Sequence, residues 1–237
     1  MKKIKRNIPT VNKLIKSYNI LVKGIEQEAN ENEERAYGGI IRASKGLLVE
    51  GIARNLIRIA WQELNGNPKS LSLEKKTVKI PIKPDYINKI KSPEVKKFIS
   101  KNIKDFFYVY KADVNVYINN KFKVAIECKT YTENAMIKRI LVDFTLLKQV
   151  FPDVKCVLLQ LESQLGGDYS KINKNIILGS KQTHTLMSYF DVDLNIITLL
   201  EGERKVDQPI HKKSFFKELK KESLLKTICV FKKLIAD

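Results

Sequence analysis

A chain of 237 residues with 43% hydrophobic and 30% charged side chains has the length of one large domain and enough apolar surface to collapse, which excludes a disordered protein. Its 10 Gly and 7 Pro exclude collagen-like and low-complexity chains, and no apolar run reaches the roughly 18 residues of a membrane helix. Lys and Arg number 44 against 26 Asp and Glu, and a net charge of +18 asks for a polyanion, nucleic acid before any other.

Residues 10–29 predict an amphipathic helix, with Val11, Leu14, Ile15, Tyr18, Leu21, Val22 and Ile25 at spacings of three and four behind a Thr10 N-cap. Tyr37-Gly38-Gly39 reads as a loop. A second helix is expected over residues 44–64, with Leu48, Ile52, Leu56 and Ile59 as its stripe and Asn65-Gly66-Asn67-Pro68 as its stop. Residues 77–82 (TVKIPI) alternate like an edge strand, and residues 93–102 suit a short helix with Pro in its first turn. FFYVYKADVNVYI, residues 106–118, is the densest strand signal, and FKVAIECK, residues 122–129, is its return. A helix is expected over 132–150, with Met136, Ile140, Phe144 and Leu147 inward. The nearly continuous apolar run of 155–161 reads as a strand covered on both faces. A short helix near 182–189, a strand near 194–199 and a basic C-terminal helix over 214–235 complete the chain; packing on the core explains that last helix better than a membrane surface does. The predicted class is α/β: a mixed β-sheet flanked by helices, three strands in an antiparallel meander and a fourth reached by a helical crossover.

The opening MKKIKR is basic, but Asn12, Lys13 and Lys16 interrupt any apolar core behind it, so no leader is expected. Cys128, Cys156 and Cys229 are scattered, with no CxxC, which predicts reduced thiols in the cytoplasm and neither a disulfide framework nor a zinc site. His184 and His211 are the only histidines, so carboxylates and lysines must carry any catalysis; His184 reads as a packed or surface residue.

The central hairpin can be tested by register. A three-residue turn pairing Ile118 with Phe122 sets Val116 against Val124 and Val114 against Ile126, so that apolar meets apolar; a slip of one residue mixes apolar with charged. In that register Asp113 opposes Glu127 on the other face, and Lys111 opposes Lys129. Opposed Cβ atoms lie about 5 Å apart, and carboxylates that close repel unless a cation or proton sits between them. Lys129, two residues beyond Glu127, shares its face. Two oxygen donors with an ammonium beside them suit Mg²⁺ and phosphodiester hydrolysis, with Lys129 placed to hold a water and stabilise charge. Cys128 points the other way and reads as core.

Asp113 followed by Glu127-Cys128-Lys129, set in this order of strands and helix, resembles the PD-(D/E)xK nuclease superfamily and its αβββαβ core, here about residues 44–161. Within it the chain is most similar to type II restriction endonucleases. Ala112 stands where that motif has Pro. The resemblance implies a single nuclease domain over 1–237, Mg²⁺-dependent cleavage of double-stranded DNA, a homodimer, and a cognate DNA methyltransferase as genetic companion, with no membrane partner. It also brings in Glu50, from the helix before the sheet, as a further catalytic carboxylate; an i,i+4 ion pair with Arg54 explains Glu50 equally well. Glu133 suits a helix N-terminus better than a ligand role. Arg42 and Lys45, at the start of the Glu50 helix, and Lys138 and Arg139, after the motif, are candidate phosphate contacts; for the latter two a solvated face is the competing reading. The polar loop 160–174, with Gln164 and Lys171, could read bases or simply connect. The other functions compatible with these residues are a junction resolvase or repair nuclease of the same core, and a basic DNA-binding protein without catalysis.

Overall fold

The computed structural model describes residues 10–31, 35–167, 169–170, 180–210 and 212–236, with the backbone alone for 25–31 and 35–43. In chain order the elements are α1 (Val11–Glu31), α2 (Arg35–Glu63), β1 (Leu71–Glu74), β2 (Val78–Pro81), α3 (Pro84–Lys89), α4 (Pro93–Lys101), β3 (Phe107–Tyr110), β4 (Val114–Ile118), β5 (Lys121–Thr132), α5 (Asn134–Lys148), β6 (Lys155–Ser163), α6 (Lys181–Ser188), β7 (Leu194–Thr198) and α7 (Lys221–Ala236). The central sheet runs β1-β4-β5-β6-β7. Its first three strands are antiparallel, whereas β6 and β7 join in parallel after helical crossovers. The α/β class and the mixed sheet between helices are as expected.

Each face of the sheet has its own cover. On one, Leu14, Tyr18 and Val22 of α1, Ile52 and Leu56 of α2, and Leu224, Ile228 and Phe231 of α7 pack against Val114, Val116, Ile126 and Leu159. On the other, Ile140, Phe144 and Leu147 of α5 and Val78, Ile80 and Tyr110 of β2 and β3 enclose Ala125 and Leu158. These side chains recur every three or four residues on the helices and every second residue on the strands, which is the periodicity that lets one face be buried.

Several expectations need correction. Tyr37-Gly38-Gly39 is not a loop but part of α2; two glycines cost a helix about 1 kcal/mol each, which the packed later turns of α2 outweigh. The run 106–118 is not one strand. β3 pairs with β2 in a separate two-stranded ribbon, and the chain leaves it at Lys111 and Ala112 to enter the main sheet as β4. The strand beside β4 is therefore β1 rather than the 77–82 segment, and Lys111 does not face Lys129. β5 runs past the expected end at Lys129 to Thr132, which closes the strand instead of starting α5, because pairing with β6 continues as far as Thr132 and Ser163. Residues 214–220 are not α-helical either: a short 3-10 turn, Lys213–Phe215, precedes an irregular approach to α7. The helix α3 escaped the sequence reading.

The hairpin register is as expected where it matters and differs at its tip. Val114 pairs with Ile126 and Val116 with Val124, yet Tyr117 pairs with Phe122 and Ile118 with Lys121. The turn is thus Asn119-Asn120, with both residues at positive φ (49° and 63°), the pairing that a tight hairpin turn favours. Lys123 is the extra residue of a β-bulge, which restores the apolar register below it.

Candidate active site

The break between β3 and β4 and the long strand β5 build the site. Alternation along β5 turns Glu127 and Lys129 to the face covered by α5 and Tyr110, while Cys128 is buried in the opposite core. Asp113 stands one residue before β4, in line with Glu127 by continuation of the Val114–Ile126 pairing. Its Oδ2 accepts the Cys128 backbone N–H at 2.8 Å and the Lys129 ammonium at 3.2 Å. Lys129 Nζ also reaches Glu127 Oε2 at 2.7 Å. The Tyr110 hydroxyl donates to Glu127 Oε1 at 3.3 Å. Behind the corner, Arg54 of α2 donates to the carbonyls of Leu73 at 3.0 Å and of Asp113 at 3.3 Å, tying the end of β1 to the break.

The side chains of Asp113 and Lys129 are each 26% exposed and that of Glu127 11%, so the group opens to solvent on one side. Burial lifts the Glu127 carboxyl above the ordinary glutamate range; Lys129 pulls against this and Asp113 adds to it. For Lys129, burial acts to lower the value, but Glu127 and Asp113 outweigh it and hold the amine above the usual lysine range, so it is an ammonium at neutral pH. Burial pushes the Cys128 thiol well up, consistent with a packing role.

Two carboxylates against one ammonium leave the group short of positive charge. Asp113 Oδ1 carries no hydrogen bond among the described residues. Nor do those residues form any cluster of three or more His, Cys, Asp or Glu. The donor set therefore fits a hard divalent ion that takes one or two carboxylates and fills its remaining positions with water and phosphate, and does not fit a closed structural cage.

The other predicted residues scatter around this trio. Glu50 does not pair with Arg54; its carboxylate, 15% exposed, meets Lys75 at 2.7 Å, near enough to Cys128 for its charge to act on the thiol. Lys45 is half-buried, and burial holds its amine below the usual range, with Glu162 opposing and Arg204 adding to the effect. Lys138 is exposed on α5, and Arg139 lies 4.0 Å from Asp143. Gln164 accepts a hydrogen bond from Arg204. The side chain of Arg42, and Lys171 and His211 altogether, lie outside the described residues. Sequence reading missed Tyr110 and Lys75 and gave Arg54 a different partner. Tyr110 alone had a signal: it is an aromatic with a polar tip three residues before Asp113.

No family model matches the chain. One curated relative, the type II restriction enzyme DdeI of Desulfomicrobium norvegicum, is 54% identical over 217 residues, which is 90% of each chain. The chain belongs to the type II restriction endonucleases. The PD-(D/E)xK resemblance read from Asp113, Glu127 and Lys129 is thereby borne out at the level of the family. A solved structure described as the native BbvCI A2B2 tetramer at low resolution aligns with a TM-score of 0.34 and 13% identity, over 95% of this chain and 86% of that one, a likeness too slight to add anything.

Proposed function

We propose that this restriction enzyme hydrolyses double-stranded DNA at a specific sequence, with Asp113 and Glu127 holding Mg²⁺ and Lys129 assisting the attack of water. The observation that carries the reading is the meeting of two carboxylates and one ammonium within 3.2 Å across the β4–β5 corner. A bound divalent ion would supply polarisation of the scissile phosphate and a more acidic water. Lys129 remains protonated and so acts as a donor rather than a base. Two of its three N–H bonds point at carboxylates and the third is left for the attacking water or a phosphate oxygen, where charge grows in the transition state. Tyr110 fixes the rotamer of Glu127, and Arg54 fixes the backbone of Asp113. Water adds to phosphorus, one P–O ester bond breaks, and the departing oxygen takes a proton, leaving a phosphate monoester and a hydroxyl.

The protein acts as one nuclease unit in a homodimer, so that two such sites meet the two strands of a symmetric sequence. It works in the cytoplasm beside a methyltransferase that protects the same sequence. No helix among the described residues is long and apolar enough to cross a membrane. The test is digestion of a plasmid of known sequence with Mg²⁺. Discrete fragments with mapped common ends are the expected result. A preference for branched substrates would favour a resolvase, and binding without cutting at any divalent ion would remove the catalytic reading.

A further inference from the structure

The segment between β1 and β4, residues 75–111, carries eleven Lys against Asp85, Glu94 and Asp105. It thus holds close to half of the chain's excess of +18 in about a sixth of its length. It folds as the β2–β3 ribbon with α3 and α4 at its tip. Lys89, Lys91, Lys97, Lys101, Lys104 and Lys111 are all exposed, and among the described residues none has a side-chain hydrogen bond or an acidic partner. Lys97 and Lys101 are neighbours at i,i+4 on α4, where like charges disfavour a helix.

The position of the segment gives the charge a use. The ribbon lies on the face of the sheet that holds the catalytic trio, and its Tyr110 touches Glu127. Lys111 is two residues from Asp113, at most about 7 Å along the chain. A phosphate approaching Lys129 must arrive from this side, because α1, α2 and α7 cover the other. From the lysines left without acids and the root of the ribbon at the trio, we propose that the 75–111 insert is a surface that grips the DNA backbone flanking the cut, with Lys97, Lys101 and Lys104, carried at the tip of the ribbon, each meeting a phosphate. The inference rests on the nuclease reading above.

The test compares binding of a short DNA duplex over a range of salt, without divalent ion, for three proteins. Neutralising three phosphate contacts lowers the slope of log affinity against log salt by about 2.7. The triple variant Lys97→Ala/Lys101→Ala/Lys104→Ala should show that loss, and the corresponding Lys→Arg triple should restore the slope. The same charge change on α7, Lys221→Ala/Lys226→Ala/Lys233→Ala, should leave it nearly intact, since α7 lies on the far face. An unchanged slope in the insert variant, or equal losses in both alanine triples, overturns the proposal, as does a change of sedimentation without a change of slope, which would make the insert a protein–protein surface. Plasmid cleavage by the wild type with Mg²⁺ keeps the two readings apart. If the wild type cuts and the slope stays put, only the insert is misassigned; if it neither cuts nor binds, the nuclease reading fails with it.

Discussion

Two carboxylate–lysine contacts of nearly equal length serve different ends. Lys129 meets Glu127 at 2.7 Å, and Lys217 meets Glu162 at 2.8 Å. The second pair is closed. Glu162 is 5% exposed on its side chain, and Lys217, ion-paired to it, gives its hydrogen bonds to the backbone carbonyls of Gly202 and Glu203 at 3.1 Å each. The Tyr18 hydroxyl donates to the Lys217 carbonyl at 2.7 Å, pinning the strap before α7 against α1. The first pair is open: a second carboxylate crowds it, and one N–H is left over. An ammonium fixed on backbone carbonyls ties segments together, whereas one held only by two crowded carboxylates keeps an N–H to offer a ligand.

The contrast can be broken most sharply at the two lysines. Lys129→Ala should cut the single-turnover cleavage rate by about a hundred- to a thousand-fold, the usual cost of one lost transition-state donor, while DNA affinity measured without metal changes little. Normal cleavage by that variant would remove Lys129 from the chemistry. Lys217→Met should do the converse. It strands a buried carboxylate and should cost about 3 kcal/mol in urea unfolding, with the rate per folded molecule near that of the wild type.

Protons should separate the pairs next. The folded protein holds the Glu127 proton above the ordinary glutamate range, so without metal Glu127 contributes against stability as pH rises through the ordinary range to its own raised value. Below that window both states are protonated and the effect vanishes. A divalent ion must displace this proton, so its affinity, read by calorimetry without DNA, should fall on acidification with a midpoint above the ordinary range; in Glu127→Gln that dependence should disappear along with most of the affinity. Tyr110→Phe is the mildest change. It removes one 3.3 Å hydrogen bond to Glu127, worth about 1–2 kcal/mol, and should slow cleavage by no more than roughly tenfold with no change of product ends.

The open pair was legible in the sequence and the closed one was not, for a physical reason. Glu127 and Lys129 are neighbours on one strand, where a period of two suffices to put them together, and matching Val114 and Val116 to their partners brought in Asp113. Glu162 and Lys217 meet only because the segment before α7 folds back across the sheet, which no local pattern encodes. The break at Lys111 and Ala112 was hidden for a similar reason. Apolar residues alternate through it without interruption, so one long strand and two short strands in different sheets look alike until β1 and β2 compete for partners. Arg54 was read as a partner for Glu50 because helix spacing allows that, but two backbone carbonyls at the corner offered it a better-fixed target.

The bulge at Lys123 gives the hairpin a spare residue. Without it, Tyr117 would still pair with Phe122 and Val116 with Val124, and the acidic side chains downstream would keep their alignment. Loss of Asn119 or Asn120 instead would deny the reversal its left-handed corner and force the ladder to reseat. The loop end of this enzyme thus has unequal tolerance to shortening, and relatives one residue shorter here should have lost the lysine of the bulge and kept both asparagines.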